Sequence, residues 1–237
     1  MVFGLMNNKR RYPLKNLAAM GDILTPSKAV SVSPDDFKQG LVMIPKIFQP
    51  RKTYFEAKYN VDISFKGYYL LPHTDVDIYF LLLILNSPFS NSFLMIENFT
   101  KRRNINIKIL DEYPMPIVGL ASQKACGLLE MMIEKLYRII DEEQATDRYM
   151  GYRLQVLEEL RLALAVEMLA HHIIVGYDLN LLDEWQAMID SFSINGQGEL
   201  SQKIILAISD NLFQPTNEVM NSIKKFRLIA GGYVLRK

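Results

Sequence analysis

The sequence is short of the residues that form covalent or metal cross-links. Its 237 residues include one cysteine and three histidines. A single thiol cannot form an internal disulfide, so we expect a reducing, cytoplasmic compartment. Cys126 lies in an apolar helical pattern and is predicted to be a small buried core residue. The pair His171 and His172 and the distant His73 lack the spacing of zinc ligands, so no metal site is predicted.

Long hydrophobic runs are missing as well. The longest apolar run, residues 78–85, is far too short to span a bilayer. The N-terminal residues do not form the continuous apolar segment that a secretory signal needs. We therefore expect no membrane partner. A hydrophobic fraction of 49% and a charged fraction of 22% are typical of a globular protein that buries a core.

A strong net charge is also absent, but the charges are unevenly distributed. The formal net charge is +1. Residues 1–116 contain 15 Lys and Arg against 10 Asp and Glu, whereas residues 117–237 contain 12 against 16. The excess of basic residues favours contact of the first half with a polyanion. The second half, which has an excess of acidic residues, is expected to have a different partner.

Hydrophobic periodicity predicts an α+β chain. We expect a mixed-strand domain over residues 1–116, followed by a helical domain over residues 117–237. Asp75 or Asp77 is a candidate N-cap for a helix that ends near Asn86. A second short helix is predicted over residues 91–97. Strands are predicted at residues 40–44, 60–66, 68–71 and 105–109.

In the second half, apolar residues recur at spacings of three and four, the pattern of amphipathic helices. Ser201 is expected to cap one helix, and Pro215 to begin the last. The predicted helices cover residues 123–143, 150–172, 179–192, 201–213 and 215–226, and a short strand follows at 233–235. The first two helices are candidates for an antiparallel hairpin. The apolar stripes are expected to bury Leu129, Met132, Leu136, Leu157, Leu164 and Trp185.

Two short patterns suggest catalysis. Residues 86–89 resemble the Asn-Pro-Pro-Phe signature of adenine methyltransferases, but Ser87 departs from it and no glycine-rich cofactor loop precedes it; a helix end and a turn explain them better. Asp35, Glu56 and Lys58 have the spacing of a nuclease site that holds Mg²⁺, although a surface ion pair would also account for Glu56. We expect no cofactor and no catalysis by the chain alone, and keep the nuclease as an alternative.

Basic residues interleaved with tyrosines and amides give a stronger functional signal. Lysine and arginine neutralise phosphates, whereas arginine, asparagine and glutamine read base edges. A solvated surface would explain the same composition, and for the basic residues 9–11 the two explanations also stay open. The candidate DNA-binding residues are Lys46, Gln49, Arg51, Lys52, Lys58, Asn60, Lys66, Tyr68, Lys101, Arg102, Arg103, Asn104 and Lys108.

The order of these segments resembles a known module. A strand at residues 44–47 precedes the basic segment, and a tyrosine-bearing strand at 68–72 leads to a helix that ends in Leu85-Asn86-Ser87. A proline-rich closure at 113–117 and a helix led by Gln123 follow. This series resembles the target-recognition domain of adenine-N6 DNA methyltransferases, fused type IIG restriction–modification enzymes and type I specificity subunits. The resemblance covers roughly residues 40–145.

The resemblance implies a module that recognises duplex DNA sequence-specifically for a restriction–modification system. The methyltransferase half of the fused enzymes has no counterpart in the sequence, and there is one recognition-like unit where type I specificity subunits usually have two. The implied partners are therefore duplex DNA and a DNA methyltransferase or restriction subunit that supplies catalysis. The alternative is a helical assembly subunit with no direct nucleic-acid role.

Overall fold

A computed structural model describes residues 11–33, 40–47, 54–90, 92, 94, 104–142, 148–171, 174, 177–192 and 201–230. Strands lie in the first half and long helices in the second, so the predicted α+β class is confirmed. The chain divides into two compact units, Tyr12–Gly127 and Met1–Arg11 with Leu128–Lys237. The domain limits expected from the sequence, 1–116 and 117–237, stay a prediction.

The first unit contains a four-stranded antiparallel sheet and a separate pair of short strands. The sheet has the order β2-β5-β3-β4, and β1 pairs with β6. The predicted strands at 40–44 and 68–71 are confirmed as β3 and β5, the two central strands. The strand bounds are β1 Leu14–Asn16, β2 Gly21–Leu24, β3 Leu41–Pro45, β4 Glu56–Lys58, β5 Gly67–Pro72 and β6 Pro114–Pro116.

Tyr69, in the middle of the sheet, organises the core on one of its faces. Its ring is buried with Leu41 and with Ala29 of the short helix α1 (Pro26–Ala29). Its hydroxyl oxygen accepts a hydrogen bond from the backbone N–H of Asp62 at 3.0 Å. The Tyr69 hydroxyl of β5 therefore fixes the segment around Asp62, which precedes β5, against the sheet.

The strand predicted at residues 60–66 is wrong. That segment contains a turn, in which the Asp62 carboxylate accepts hydrogen bonds from the backbone N–H of Ser64 at 2.8 Å and from its hydroxyl at 2.6 Å. Ile63 is 67% exposed, so the alternation of apolar residues does not correspond to a buried face. An aspartate that bonds its own backbone two residues on favours a turn over a strand.

The strand predicted at residues 105–109 is also wrong, because Ile107–Asp111 form the short helix α3. The side chain of Asn106 caps this helix by accepting a hydrogen bond from the backbone N–H of Lys108 at 3.1 Å. Leu110 is fully buried, whereas Ile107 and Ile109 are only half-buried. The N-cap and the burial of Leu110 outweigh the alternation of the isoleucines.

Helix α2 (Ile78–Leu85) is confirmed, with Asp77 as N-cap and Asn86 as C-cap. The Asp77 carboxylate accepts from the backbone N–H of Phe80 at 2.9 Å. Gln123, 9% exposed, accepts from the backbone N–H of Asp77 at 2.9 Å and donates to the carbonyl of Val118 at 3.2 Å. Gln123 thus joins the start of α2 to the segment that precedes the helix Leu120–Glu142.

In the part of the chain that the structure describes, five helices follow, and they bury every apolar position expected from the sequence. From Leu160 to Ala170 the second of them is buried on all sides, as expected for the central helix of a helical unit. None of the described helices combines the length and the apolar character needed to cross a membrane. Their bounds are α4 Leu120–Glu142, α5 Arg148–Ala170, α6 Leu181–Ser191, α7 Gln202–Leu212 and α8 Glu218–Ala230.

Within the second unit, α5 is antiparallel to the part of α4 from Leu128 onward. Arg161 of α5 lies 3.3 Å from Glu130 of α4. Further along α4, the hydroxyl of Tyr137 donates to Glu158, which lies earlier in α5 than Arg161. The two helices therefore run in opposite directions. Glu130 and Arg161 are 1% and 5% exposed. Removing either partner would leave a buried charge, so the pair fixes the alignment of the two helices.

The start of the last helix differs from the prediction. Pro215 lies in a turn, and α8 begins three residues later at Glu218. The side chain of Asn217 accepts from the backbone N–H of Met220 at 3.0 Å and so caps the helix.

The cap at Ser201 is confirmed, with the backbone N–H of Ile204 as donor at 3.4 Å. The strand predicted at 233–235 and most of the helix predicted at 91–97 lie outside the described residues.

Arg11 has a structural role in the second unit. Its guanidinium lies 3.7 Å from Glu167 and 2.7 Å from Asp183. Glu167 is 1% exposed, and its other oxygen accepts from the backbone N–H of Leu181 at 2.9 Å, at the first residue of α6. Arg11 therefore neutralises a buried carboxylate that caps a helix. Lys9 and Arg10 lie outside the described residues.

Candidate nucleic-acid interface

Three segments that are distant in the sequence meet where β3 ends and β5 begins. The backbone N–H of Lys46 donates to the carbonyl of Lys66 at 2.9 Å, and the carbonyl of Lys46 accepts from the N–H of Ile105 at 2.7 Å. Ile47 and Asn104 form an isolated antiparallel bridge. The structure thus brings together three of the predicted DNA-binding residues, Lys46, Lys66 and Asn104.

We name Lys46, Ile47, Lys66 and Asn104 the basic end of the sheet. All four residues are exposed, and Ile47 exposes 54% of its surface. Because Pro45 pairs with Gly67, continuing the register by one residue places the two lysines opposite each other. Like charges in directly opposite positions repel. An anion bound between them would relieve this repulsion, so the basic end is suited to a phosphate.

Two further predicted residues lie on elements that leave the basic end. Tyr68 is the second residue of β5 and pairs with Ile44, and its side chain is half-buried. Lys108 follows Asn104 by four residues and is exposed on α3. Lys108 therefore presents a cation to solvent, whereas part of the Tyr68 ring belongs to the sheet.

Lys58 and Asn60 belong to the opposite end of the sheet. Lys58 pairs with Leu41, four residues along β3 from Pro45, which corresponds to roughly 14 Å of strand. The ammonium of Lys58 lies 2.6 Å from the carboxylate of Glu56. Exposed ion pairs of this kind contribute little stability, but they compensate the charge locally. The six predicted residues Gln49, Arg51, Lys52, Lys101, Arg102 and Arg103 lie outside the described residues.

The methyltransferase-like residues 86–89 lie at the buried end of α2. Asn86 is 4% exposed, and its carboxamide accepts from the N–H of Phe55 at 2.8 Å and donates to the carbonyl of Phe55 at 3.0 Å. Ser87 is fully buried and donates to the carbonyl of Ile84 at 2.8 Å. Both side chains are thus engaged with the backbone, which is a structural role.

A hydroxyl network continues from this helix end. The Ser87 and Ser90 hydroxyls lie 3.0 Å apart, and the hydroxyl of Tyr113 donates to Ser90. Burial raises the pKa of Tyr113 above its ordinary value, while the hydrogen bond with Ser90 acts in the opposite direction. Tyr113 is therefore a neutral donor throughout the physiological pH range, and it fixes the proline-rich closure to α2.

The nuclease-like pattern is only partly described, because Asp35 lies outside the described residues. Glu56 is the first residue of β4 and forms the ion pair with Lys58 given above. Within the part of the chain that the structure describes, no group of three or more His, Cys, Asp or Glu side chains is placed to hold a metal ion. Cys126 is fully buried, as predicted.

Sequence reasoning missed Ile47. An isoleucine after a buried strand and a proline is typical of the core. The structure instead places Ile47 opposite Asn104, at an exposed point where three segments meet.

The comparisons with known proteins add no relative: no family model, curated protein or solved structure matches the chain.

Proposed function

We propose that this chain recognises duplex DNA through the basic end, as a recognition module of a restriction–modification system whose catalysis lies in a partner subunit. The observation that carries the proposal is the junction of Lys46, Lys66 and Asn104 through the hydrogen bonds of Lys46 and the Ile47–Asn104 bridge. Cations for phosphates and an amide for a base edge thus lie on three segments that backbone hydrogen bonds join.

The junction also concerns the two basic segments of the sequence. Arg51 and Lys52 follow Ile47 closely in the chain, and Arg102 and Arg103 immediately precede Asn104. The bridge therefore joins the flanks of both segments. We expect these four cations to extend the electropositive surface of the basic end, because several phosphate contacts are needed for appreciable affinity.

The buried surroundings of Asn86 and Ser87 support a module without methyltransferase activity of its own. A catalytic amide has to face its substrate, whereas the carboxamide of Asn86 is engaged with the backbone of Phe55.

The alternative function, an assembly subunit with no direct nucleic-acid role, depends on the apolar faces of the helices. Those faces are buried within the chain, at Leu129, Leu157 and Trp185 among others, which leaves the basic end as the favoured functional surface. The single buried thiol of Cys126 suits a cytoplasmic setting.

The test is a binding titration followed by fluorescence anisotropy. Random-sequence duplexes of about three helical turns are titrated with the protein between 50 and 200 mM salt, a range in which each phosphate contact contributes a slope of about −0.9. We expect saturable binding that weakens steeply with salt. The proposal is contradicted if no duplex binds at the lowest salt concentration.

A second assay addresses the assignment of catalysis to a partner. The protein is incubated with labelled S-adenosylmethionine and mixed duplex DNA. We expect no methyl transfer above the blank, because the sequence lacks a glycine-rich cofactor loop. Clear transfer would contradict a recognition module that is non-catalytic by itself.

A further inference from the structure

Ile47 is an apolar side chain exposed among cations. Two other isoleucines close to this junction, Ile44 of β3 and Ile105 next to Asn104 in the chain, are 0% and 1% exposed, whereas Ile47 is 54% exposed. The core therefore takes up these two isoleucines and leaves Ile47 at the surface. Its exposure leaves the Ile47 side chain accessible to a ligand that offers apolar surface, and burying it there would be favourable.

The partner of Ile47 in the antiparallel bridge is Asn104, which is also exposed. Side chains directly opposite each other in an antiparallel pair project on the same side, with Cβ atoms about 4.5–5.5 Å apart. One apolar side chain and one carboxamide thus project on the same side of the bridge. The backbone beneath them is fixed on both sides by the hydrogen bonds of Lys46 to Lys66 and Ile105.

Duplex DNA offers one feature that matches this combination. In the major groove, an A·T pair presents adenine N6 and N7, which a carboxamide binds with two hydrogen bonds, and the C5 methyl of thymine, which takes an apolar contact. A G·C pair has no methyl group, and the minor groove shows neither the methyl nor adenine N6 and N7. An isoleucine and a carboxamide presented together would therefore distinguish an A·T pair from a G·C pair and the major groove from the minor groove.

We propose that Ile47 and Asn104 together read one A·T base pair in the major groove, Asn104 at the adenine and Ile47 at the thymine methyl. This proposal rests on the proposed duplex binding. Lys46 and Lys66 lie at the same junction, where they are available to flanking phosphates.

The experiment starts from duplexes that the parent protein selects out of a random library. In one selected duplex, each thymine is replaced in turn by deoxyuridine, which removes only the methyl group, and each adenine by 7-deazaadenine, which removes N7. We expect one A·T pair at which loss of the methyl weakens binding by about fourfold, the equivalent of one buried methyl. At the same pair, loss of N7 also weakens binding.

Variants then connect this base pair to the two residues. Asn104→Ala should weaken binding roughly 5- to 150-fold and abolish the effect of 7-deazaadenine. Ile47→Ala should abolish the effect of deoxyuridine and keep the effect of 7-deazaadenine. Ile63→Ala is the matched control, since Ile63 is 67% exposed outside the basic end; it should leave both effects intact. Unchanged thermal melting of the variants excludes unfolding as the cause.

The outcomes separate the two proposals. If the parent binds duplex with a steep salt dependence but Ile47→Ala retains the deoxyuridine effect, the reading pair is overturned and duplex recognition stands. If the selected site has no A·T pair sensitive to the methyl group, the reading pair is likewise overturned. If the parent binds no duplex, both proposals are overturned.

Discussion

The carboxamide of Asn86 holds the backbone of Phe55 by two hydrogen bonds, accepting from its N–H and donating to its carbonyl. Phe55 directly precedes β4, and Asn86 ends α2. The Asn86 carboxamide thus bonds the backbone of Phe55 as a neighbouring strand would. Both side chains are buried at this point. The asparagine in the Leu-Asn-Ser helix end thus connects the sheet to the helix beside it.

Asn86→Ala should destabilise the first unit. The substitution leaves a buried N–H and a buried carbonyl unpaired, and each such group costs about 1–3 kcal/mol. The free energy of unfolding is measured by chemical denaturation followed by circular dichroism. Asn60→Ala, at an exposed position, is the control and should change it little. Equal stability of the two variants would show that the pairing of Asn86 with Phe55 is unimportant.

Two helical glycines should respond oppositely to alanine. A Cβ on Gly127 would stand 2.5 Å from the Asp77 carboxylate oxygen that caps α2, whereas a Cβ on Gly151 would meet nothing within 4 Å. Gly151→Ala should therefore stabilise by about 1 kcal/mol through helix propensity. Gly127→Ala should destabilise, because the half-buried carboxylate that caps α2 has to move.

The cause can be checked in the background of Asp77→Ala. With the carboxylate removed, Gly127→Ala loses most of its cost, and the two substitutions are strongly non-additive. Additive effects in thermal melts of the single and double variants would rule out the contact between the two residues as the cause.

Leu164→Asp should unfold the second unit. Leu164 is fully buried in the central helix α5, and an unpaired buried carboxylate costs more than the roughly 2–5 kcal/mol of truncating a buried leucine. Trp185 is the single tryptophan and is fully buried, so its fluorescence should shift to longer wavelength. Leu228→Asp, at a position 84% exposed, should keep the emission of the parent. A native spectrum for Leu164→Asp would contradict the helical core.

Tyr137 should lose its proton at unusually high pH. Burial and the hydrogen bond to Glu158 raise the pKa of Tyr137 from 10.0 to about 12. The folded protein thus holds this proton more tightly than the unfolded chain, so the free energy of unfolding should fall as the pH rises from 10.0 to about 12. Ultraviolet titration should show a late phenolate transition that Tyr137→Phe removes and Glu158→Gln moves to lower pH. A late transition unchanged in both variants would assign it to another tyrosine.

Periodicity predicted the helices well because each helix carries its own signal. The stripes of α4 to α7 and the caps at Asp77 and Ser201 are local features. The errors lie where a side chain bonds its own backbone. Asp62 forms a turn and Asn106 caps a helix where the pattern predicts strands. Asn217 caps the last described helix, which the pattern predicts to begin earlier. Short polar side chains outweigh periodicity over five to seven residues.

The site was only partly predictable, because its members meet through long-range strand pairing. Composition identified Lys46, Lys66 and Asn104, but nothing in their spacing indicates that they share one junction. The same pairing separates Lys58, which lies at the opposite end of β3 and forms an ion pair with Glu56. Ile47 carried no polar signal, so only its exposure in the folded chain draws attention to it.

The most direct measurement of the central claim is the salt dependence of duplex binding by Lys46→Ala/Lys66→Ala. If both lysines contact phosphates, the slope of log K against log salt should flatten by about two units, and affinity should fall for all sequences alike. Lys224→Ala, at an exposed lysine of α8, should bind like the parent. A double variant with the parent's affinity and slope would contradict recognition of DNA at the basic end.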